Sequence, residues 1–179
     1  LEHIQGINNE RDKRWYASVL LNRLMFVWFL QKKGFLHDQN GSQRFDYLRE
    51  KLQISEQRGA NRFYGEFLAA LFFEAFAKPE ADRSPAAKAL TGQIPYLNGG
   101  LLLPHKLELD ADHALRLGKT LHVADVAFRG IFDLFASFTW HLDDTPGGSA
   151  DEINPDVLGY IFEKYINQKA FGAYYTRPE

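Results

Sequence analysis

With 179 residues, 45% of them apolar and 25% charged, the chain can bury one sizeable core and is too rich in large apolar side chains for intrinsic disorder. The absence of cysteine excludes disulfide frameworks and thiolate metal sites and fits a reducing cytoplasm. A formal net charge of −2 excludes a strongly basic polyanion binder, although the first 60 residues hold ten Lys/Arg against seven Asp/Glu and the remainder eleven against sixteen.

Residues 14–33 contain no Gly or Pro. Tyr16, Val19, Leu20, Arg23, Leu24, Val27 and Leu30 recur at helical spacing, and the opposite face carries Trp15, Leu21, Met25, Trp28 and Phe29. A helix apolar all round is expected to be buried on several sides. The apolar run 19–30 is too short to cross a bilayer and includes Asn22 and Arg23, so no membrane span is expected. Gly34, after Lys32 and Lys33, predicts a left-handed helix end.

Asp38-Gln39-Asn40-Gly41 predicts a turn, and Ser42 is expected to cap a short helix through Phe45, Leu48 and Leu52. Phe63, Phe67, Leu68, Leu71, Phe72, Ala75 and Phe76 form the stripe of a helix over 61–77, closed by Pro79. Residues 80–92 are expected to be a loop with one helical turn. Asn98-Gly99-Gly100 between apolar runs predicts a tight turn or small hairpin within 94–104, where Pro95 and Pro104 limit any strand.

Val126, Phe128, Ile131, Phe132, Leu134, Phe135, Phe138 and Trp140 predict another deeply buried helix over 123–142. A polar loop, 143–152, contains Pro146-Gly147-Gly148-Ser149. Asn154, Pro155 and Asp156 then supply an N-cap, a first-turn proline and an acid for the positive end of a last helix. Val157, Leu158, Ile161, Phe162, Tyr165 and Ile166 line one face of it, and Gly172 ends it. The expected fold is mainly α, a multi-helix bundle with a small turn or hairpin near residues 94–104.

Groups able to do chemistry are scarce. Six histidines lie at 3, 37, 105, 113, 122 and 141, and no two have the i, i+4 spacing that puts paired imidazoles on one helical face. The Gly-Gly pairs at 99–100 and 147–148 lack the strand and helix of a phosphate loop. No Lys stands two positions after an Asp or Glu, which excludes the common linear signature of metal-dependent nucleases. Asn154-Pro155 is followed by Asp156 and Val157, where an amino-methyltransferase motif needs a second proline and a stacking ring. No catalytic residue and no metal ligand is therefore assigned. Arg23, inside an apolar helix, is expected either to pair with a buried carboxylate or snorkel to the helix edge, or to reach a phosphate or adjoining domain. Arg44, Arg49, Lys51, Arg58 and Arg62 are candidates for DNA phosphate contact, weighed against an ordinary solvated surface.

The end of the chain is more specific. Pro155-Asp156-Val157-Leu158-Gly159-Tyr160-Ile161-Phe162-Glu163-Lys164-Tyr165-Ile166-Asn167, then Gly172-Ala173-Tyr174-Tyr175-Thr176, resembles the segment ahead of the catalytic domain in large bacterial adenine-specific DNA methyltransferases. These are the fused restriction–modification enzymes and related phage-defence methyltransferases. Leu21-Asn22-Arg23-Leu24-Met25-Phe26 with Phe29 to Leu36, and Tyr96-Leu97-Asn98-Gly99-Gly100-Leu101, resemble two further family blocks in the same order. The family has proline directly after the threonine; here Arg177 precedes Pro178.

The resemblance implies a helical connector domain at 1–152 and a helix with lead-in segment at 153–179, running toward a methyltransferase domain of the same polypeptide that is absent from this chain. It implies that Tyr174, Tyr175 and Thr176 help line an S-adenosylmethionine pocket, with packing of both tyrosines against the next domain as the alternative. The chain itself is expected to be an inactive, soluble, cytoplasmic fragment without bound cofactor. Its full-length parent is expected to be an adenine-specific DNA methyltransferase using S-adenosylmethionine. The competing expectation is a stand-alone helical module whose exposed apolar surface binds a protein partner.

Overall fold

Asn9 starts the first helix: its side-chain oxygen accepts the backbone N–H groups of Arg11 and Asp12 at 2.8 and 3.2 Å. In the computed structural model, which describes residues 1–97, 99–140, 152, 153 and 160, helix α1 runs Glu10–Lys32. It begins five residues before Trp15, the first residue of the apolar pattern, because an N-cap and an acidic first turn need no apolar periodicity. Gly34 then takes φ +75°, the left-handed end expected of it. Tyr16, Leu20, Leu24, Val27, Trp28 and Leu30 are buried, with Ala17, Leu21, Met25 and Phe26 packed around the core, so α1 is covered on several sides.

The turn at 38–41 forms as the sequence predicts. Asp38 accepts the N–H groups of Asn40 and Ser42, and Gly41 takes φ +81°. The helix expected to follow from Ser42 does not start there. Helix α2 spans Tyr47–Arg58, and Phe45 lies outside it, exposed. Ser42 instead pairs with Asp38, its carbonyl accepting the Asp38 N–H. The helix start is held by tertiary contact, since the Leu48 N–H donates to buried Gln31 of α1.

The segment after Asn61 winds as two π-helical stretches, Phe63–Leu68 and Leu71–Phe76. Every residue of its predicted stripe is buried, and Tyr64 and Phe73 join them. The i→i+5 bonding of a π-helix widens the face that a helix can turn inward. Residues 80–92 hold more helix than expected. Helix α3 spans Pro85–Thr91, with Ser84 capping the Ala87 N–H and proline in the first turn.

Among the described residues of 94–104, which leave out Asn98, no strand pairing is present. The N–H of Leu97 bonds the Phe76 carbonyl, and Gly100–Leu102 is a single 3-10 turn. Helix α4 is shorter than the expected 123–142: it spans Asp125–Ala136 and gives way to β3, Thr139–Trp140. It is also less buried than expected. Phe128, Phe132 and Phe135 face the core, while Val126 and Leu134 are 47% and 55% exposed. Strand β1, Ile4–Gln5, pairs antiparallel with β2, His122–Val123, and β3 pairs in parallel with β4, Glu152–Ile153. The core is aromatic where α1, α4 and the first π-helical stretch meet. Trp28 stacks on Phe132 at 5.7 Å, and Phe63 meets Phe128 edge-on at 5.0 Å.

The expected loop at 143–152, apart from Glu152, and the helix expected from Asn154, apart from Tyr160, lie outside the described residues. No helix among the described residues is long and apolar enough to cross a membrane.

Candidate functional site

Arg23 sits in the middle of α1, where its side chain must leave water entirely. Its exposure is 1%, and that of Glu108 is 0%. The two meet at 2.6 Å, through Nη1 and Oε1. Nε donates to the Leu101 carbonyl and Nη2 to the Leu103 carbonyl, each at 2.7 Å. The rings of Phe72 and Phe73 lie 5.4 and 5.2 Å from the guanidinium carbon. The Gly-Gly turn therefore acts as a cradle: its 3-10 geometry aims backbone carbonyls at a buried cation. Arg23 takes the buried-carboxylate pairing expected of it, and Glu108 is the partner that the sequence left unnamed.

Glu108 is itself saturated. Its Oε1 also accepts the Tyr16 hydroxyl at 2.9 Å, and its Oε2 accepts the His105 backbone N–H at 2.6 Å. Tyr64 hydrogen-bonds Tyr16. Burial, reinforced by the Glu108 carboxylate, raises the Tyr16 phenol well above its ordinary value, and burial likewise raises Tyr64. Both hydroxyls stay protonated, as donors must. A network so fully paired locks α1 to residues 101–108. With no surface opening, it offers nothing for a substrate to reach.

His105 extends the network outward. The Trp15 indole N–H donates to its Nε2 at 2.8 Å, and the Leu107 N–H approaches its Nδ1 at 3.2 Å. A neutral imidazole has one lone-pair nitrogen, so the shorter contact makes Nε2 the acceptor and leaves the proton on Nδ1. Burial lowers the His105 pKa, which favours that neutral form.

The basic residues singled out between 44 and 62 are all engaged. Arg44 pairs with Asp38, and Arg49 with Asp133 at 2.9 Å. Arg58 and Arg62 both meet Glu66, at 3.3 and 3.2 Å. Lys51 donates to the Leu90 carbonyl and lies over the Tyr47 ring. The four arginines stand beside carboxylates, with Arg58 and Arg62 sharing one, which weakens their claim on phosphate. Tyr174, Tyr175 and Thr176 lie outside the described residues.

Open clefts lie among the described residues. One, about 780 Å³, lies beside Phe35, His37, Lys88 and Gln93; Arg83 at its edge donates to the carbonyls of Lys78 and Ile94. Another, about 480 Å³, runs along α1 past Arg11, Arg14, Trp15 and Asn22. Among the described residues no group of three or more His, Asp or Glu is placed to hold a metal ion.

Fold and site together define a mainly helical chain whose interior polar groups are organised for packing, and its sequence associates it with restriction–modification proteins. It is 30% identical, over 180 aligned positions covering 96% of this chain, to a protein of Methanocaldococcus jannaschii described as a "Putative type II restriction enzyme and methyltransferase". The chain spans about 14% of that relative's length. No family model matches the chain, and no solved structure matches it.

Proposed function

We propose that this chain is the non-catalytic helical connector of an adenine-N6-specific DNA methyltransferase of the restriction–modification type. It supports a catalytic domain that uses S-adenosylmethionine and is supplied by further sequence of the same polypeptide. One observation carries the reading. Similarity runs through nearly all of this chain yet occupies a small part of a relative described as both restriction enzyme and methyltransferase. The resemblance at 155–167 and 172–176 supports a segment that leads toward the catalytic domain, in which Tyr174, Tyr175 and Thr176 would complete the cofactor pocket. The pairing of buried Arg23 with Glu108, joined by the Tyr16 hydroxyl, supports a scaffold role.

The test compares the 179-residue chain with a longer polypeptide from the same parent. Radiolabelled methyl transfer from S-adenosylmethionine to DNA is measured, followed by nucleoside analysis. The longer polypeptide should produce N6-methyladenine and the isolated chain should produce none. Transfer by the isolated chain, or methylation of cytosine by the longer one, would reject the reading.

A further inference from the structure

The chain that leaves α1 and the chain that leaves α3 come together. Gly92 ends α3 at φ +79°. A β-carbon there would lie 2.5 Å from the His37 carbonyl oxygen, so glycine permits the approach. The Gln93 N–H then bonds the His37 carbonyl at 3.1 Å, and the His37 N–H bonds the Gln93 carbonyl at 3.2 Å. Both segments line the cleft of about 780 Å³, Phe35 and His37 from the first, Lys88 and Gln93 from the second, with Arg83 from the turn ahead of α3. That volume falls within the roughly 300–1,000 Å³ typical of small-ligand pockets.

Arg83 is 6% exposed, yet its charge meets no carboxylate among the described residues. Nε and Nη1 donate to the Lys78 and Ile94 carbonyls at 2.9 and 2.8 Å, and Nη2 donates to no described residue. Arg23 shows the same arrangement completed: two guanidinium nitrogens on main-chain carbonyls and the third on Glu108. Neutral carbonyls orient a guanidinium without cancelling its charge, so a cation held this way is stabilised when an anion reaches its open edge. Lys88 is a second cation on the cleft, and its ammonium makes no ion pair among the described residues. Glu80 is the one carboxylate among the described lining residues; it is exposed and acts on Arg83 without pairing with it. Phe35 adds an aromatic ring that is 53% exposed.

We propose that this cleft binds a small phosphate monoester that carries a flat ring, the chemical class of a nucleoside monophosphate. The phosphate lies against Arg83 Nη2 and the Lys88 ammonium, and the ring lies on Phe35. Two cations match the double charge of a monoester better than the single charge of a carboxylate. The site goes beyond the connector reading and does not depend on it.

Binding is measured by titration calorimetry of the full 179-residue chain with adenosine 5′-monophosphate, adenosine, inorganic phosphate and a 5′-phosphorylated trinucleotide at matched ionic strength. Adenosine monophosphate should bind, and adenosine and phosphate alone should each bind at least about tenfold more weakly, since each lacks one half of the contacts. Lys88→Gln should weaken binding of the monophosphate about tenfold, the usual loss for a hydrogen bond to a charged group. Phe35→Leu should cost about fivefold or more, within the range for loss of one stacked base. Arg83→Gln should abolish binding, and Arg58→Gln, which removes a cation outside the cleft, should leave it unchanged. Circular dichroism checks the fold of each variant; should Arg83→Gln unfold the chain, Lys88→Gln and Phe35→Leu decide alone. Absence of binding by the monophosphate overturns the proposal, as does equal binding of adenosine, or an affinity unchanged by both Lys88→Gln and Phe35→Leu. Tighter binding of the trinucleotide than of the monophosphate overturns the assignment to a small molecule.

Discussion

Removing the Arg23 side chain leaves Glu108 as a carboxylate with no cation and no route to water. Arg23→Met should therefore cost about 3–5 kcal/mol, the usual penalty for breaking one side of a buried ion pair, read from chemical denaturation. The double variant Arg23→Met/Glu108→Leu should recover part of that loss, because it leaves no charge stranded. A double variant no more stable than Arg23→Met would show that the energy resides in the Leu101 and Leu103 carbonyl contacts instead. His105 gives a pH-dependent counterpart. Burial lowers its folded-state pKa below the ordinary 6.5, so between those two values the unfolded chain binds more protons. Its neutral-state stability is present above about pH 6.5 and is lost as the pH falls toward the folded-state value. The melting temperature should drop over that window, and His105→Asn should flatten the drop. An equal slope in the variant would place the effect elsewhere.

Between elements, two glycines separate close approach from open space. A β-carbon on Gly65, in the first π-helical stretch, would lie 2.5 Å from the Gly118 Cα, where backbone meets backbone and neither can yield cheaply. Gly65→Ala should destabilise by about 1–3 kcal/mol. A β-carbon on Gly130 in α4 would meet nothing within 4 Å. Gly130→Ala should stabilise by about 0.5–1 kcal/mol through helix propensity alone. Thermal unfolding of the two variants checks the contrast, and equal shifts would remove it. Element starts differ in how visible they were. Ser84-Pro85 is a legible start for α3, with cap and first-turn proline adjacent. The start of α2 is not legible, because its Leu48 N–H is satisfied by Gln31, 17 residues away. Asp125 and Asn61 explain the start of α4 in the same way: each side chain accepts the other's backbone N–H, at 2.7 and 3.0 Å, across 64 residues.

Across the whole molecule, one cluster of buried side chains runs from Ile4 to Phe135, and beside it Arg23, Glu108, Tyr16 and Tyr64 bond to one another. Periodicity and punctuation in the sequence alone were enough to determine that the chain is mainly helical and where its aromatic stripes fall. These are local properties, set by neighbours within a few residues. Only the tertiary structure decided that Arg23 meets Glu108 across 85 residues, that the Gly-Gly turn cradles it, and that Arg44, Arg49, Arg58 and Arg62 stand beside carboxylates. Charge pairing depends on distance in space, and a linear pattern holds no measure of distance until the chain has folded.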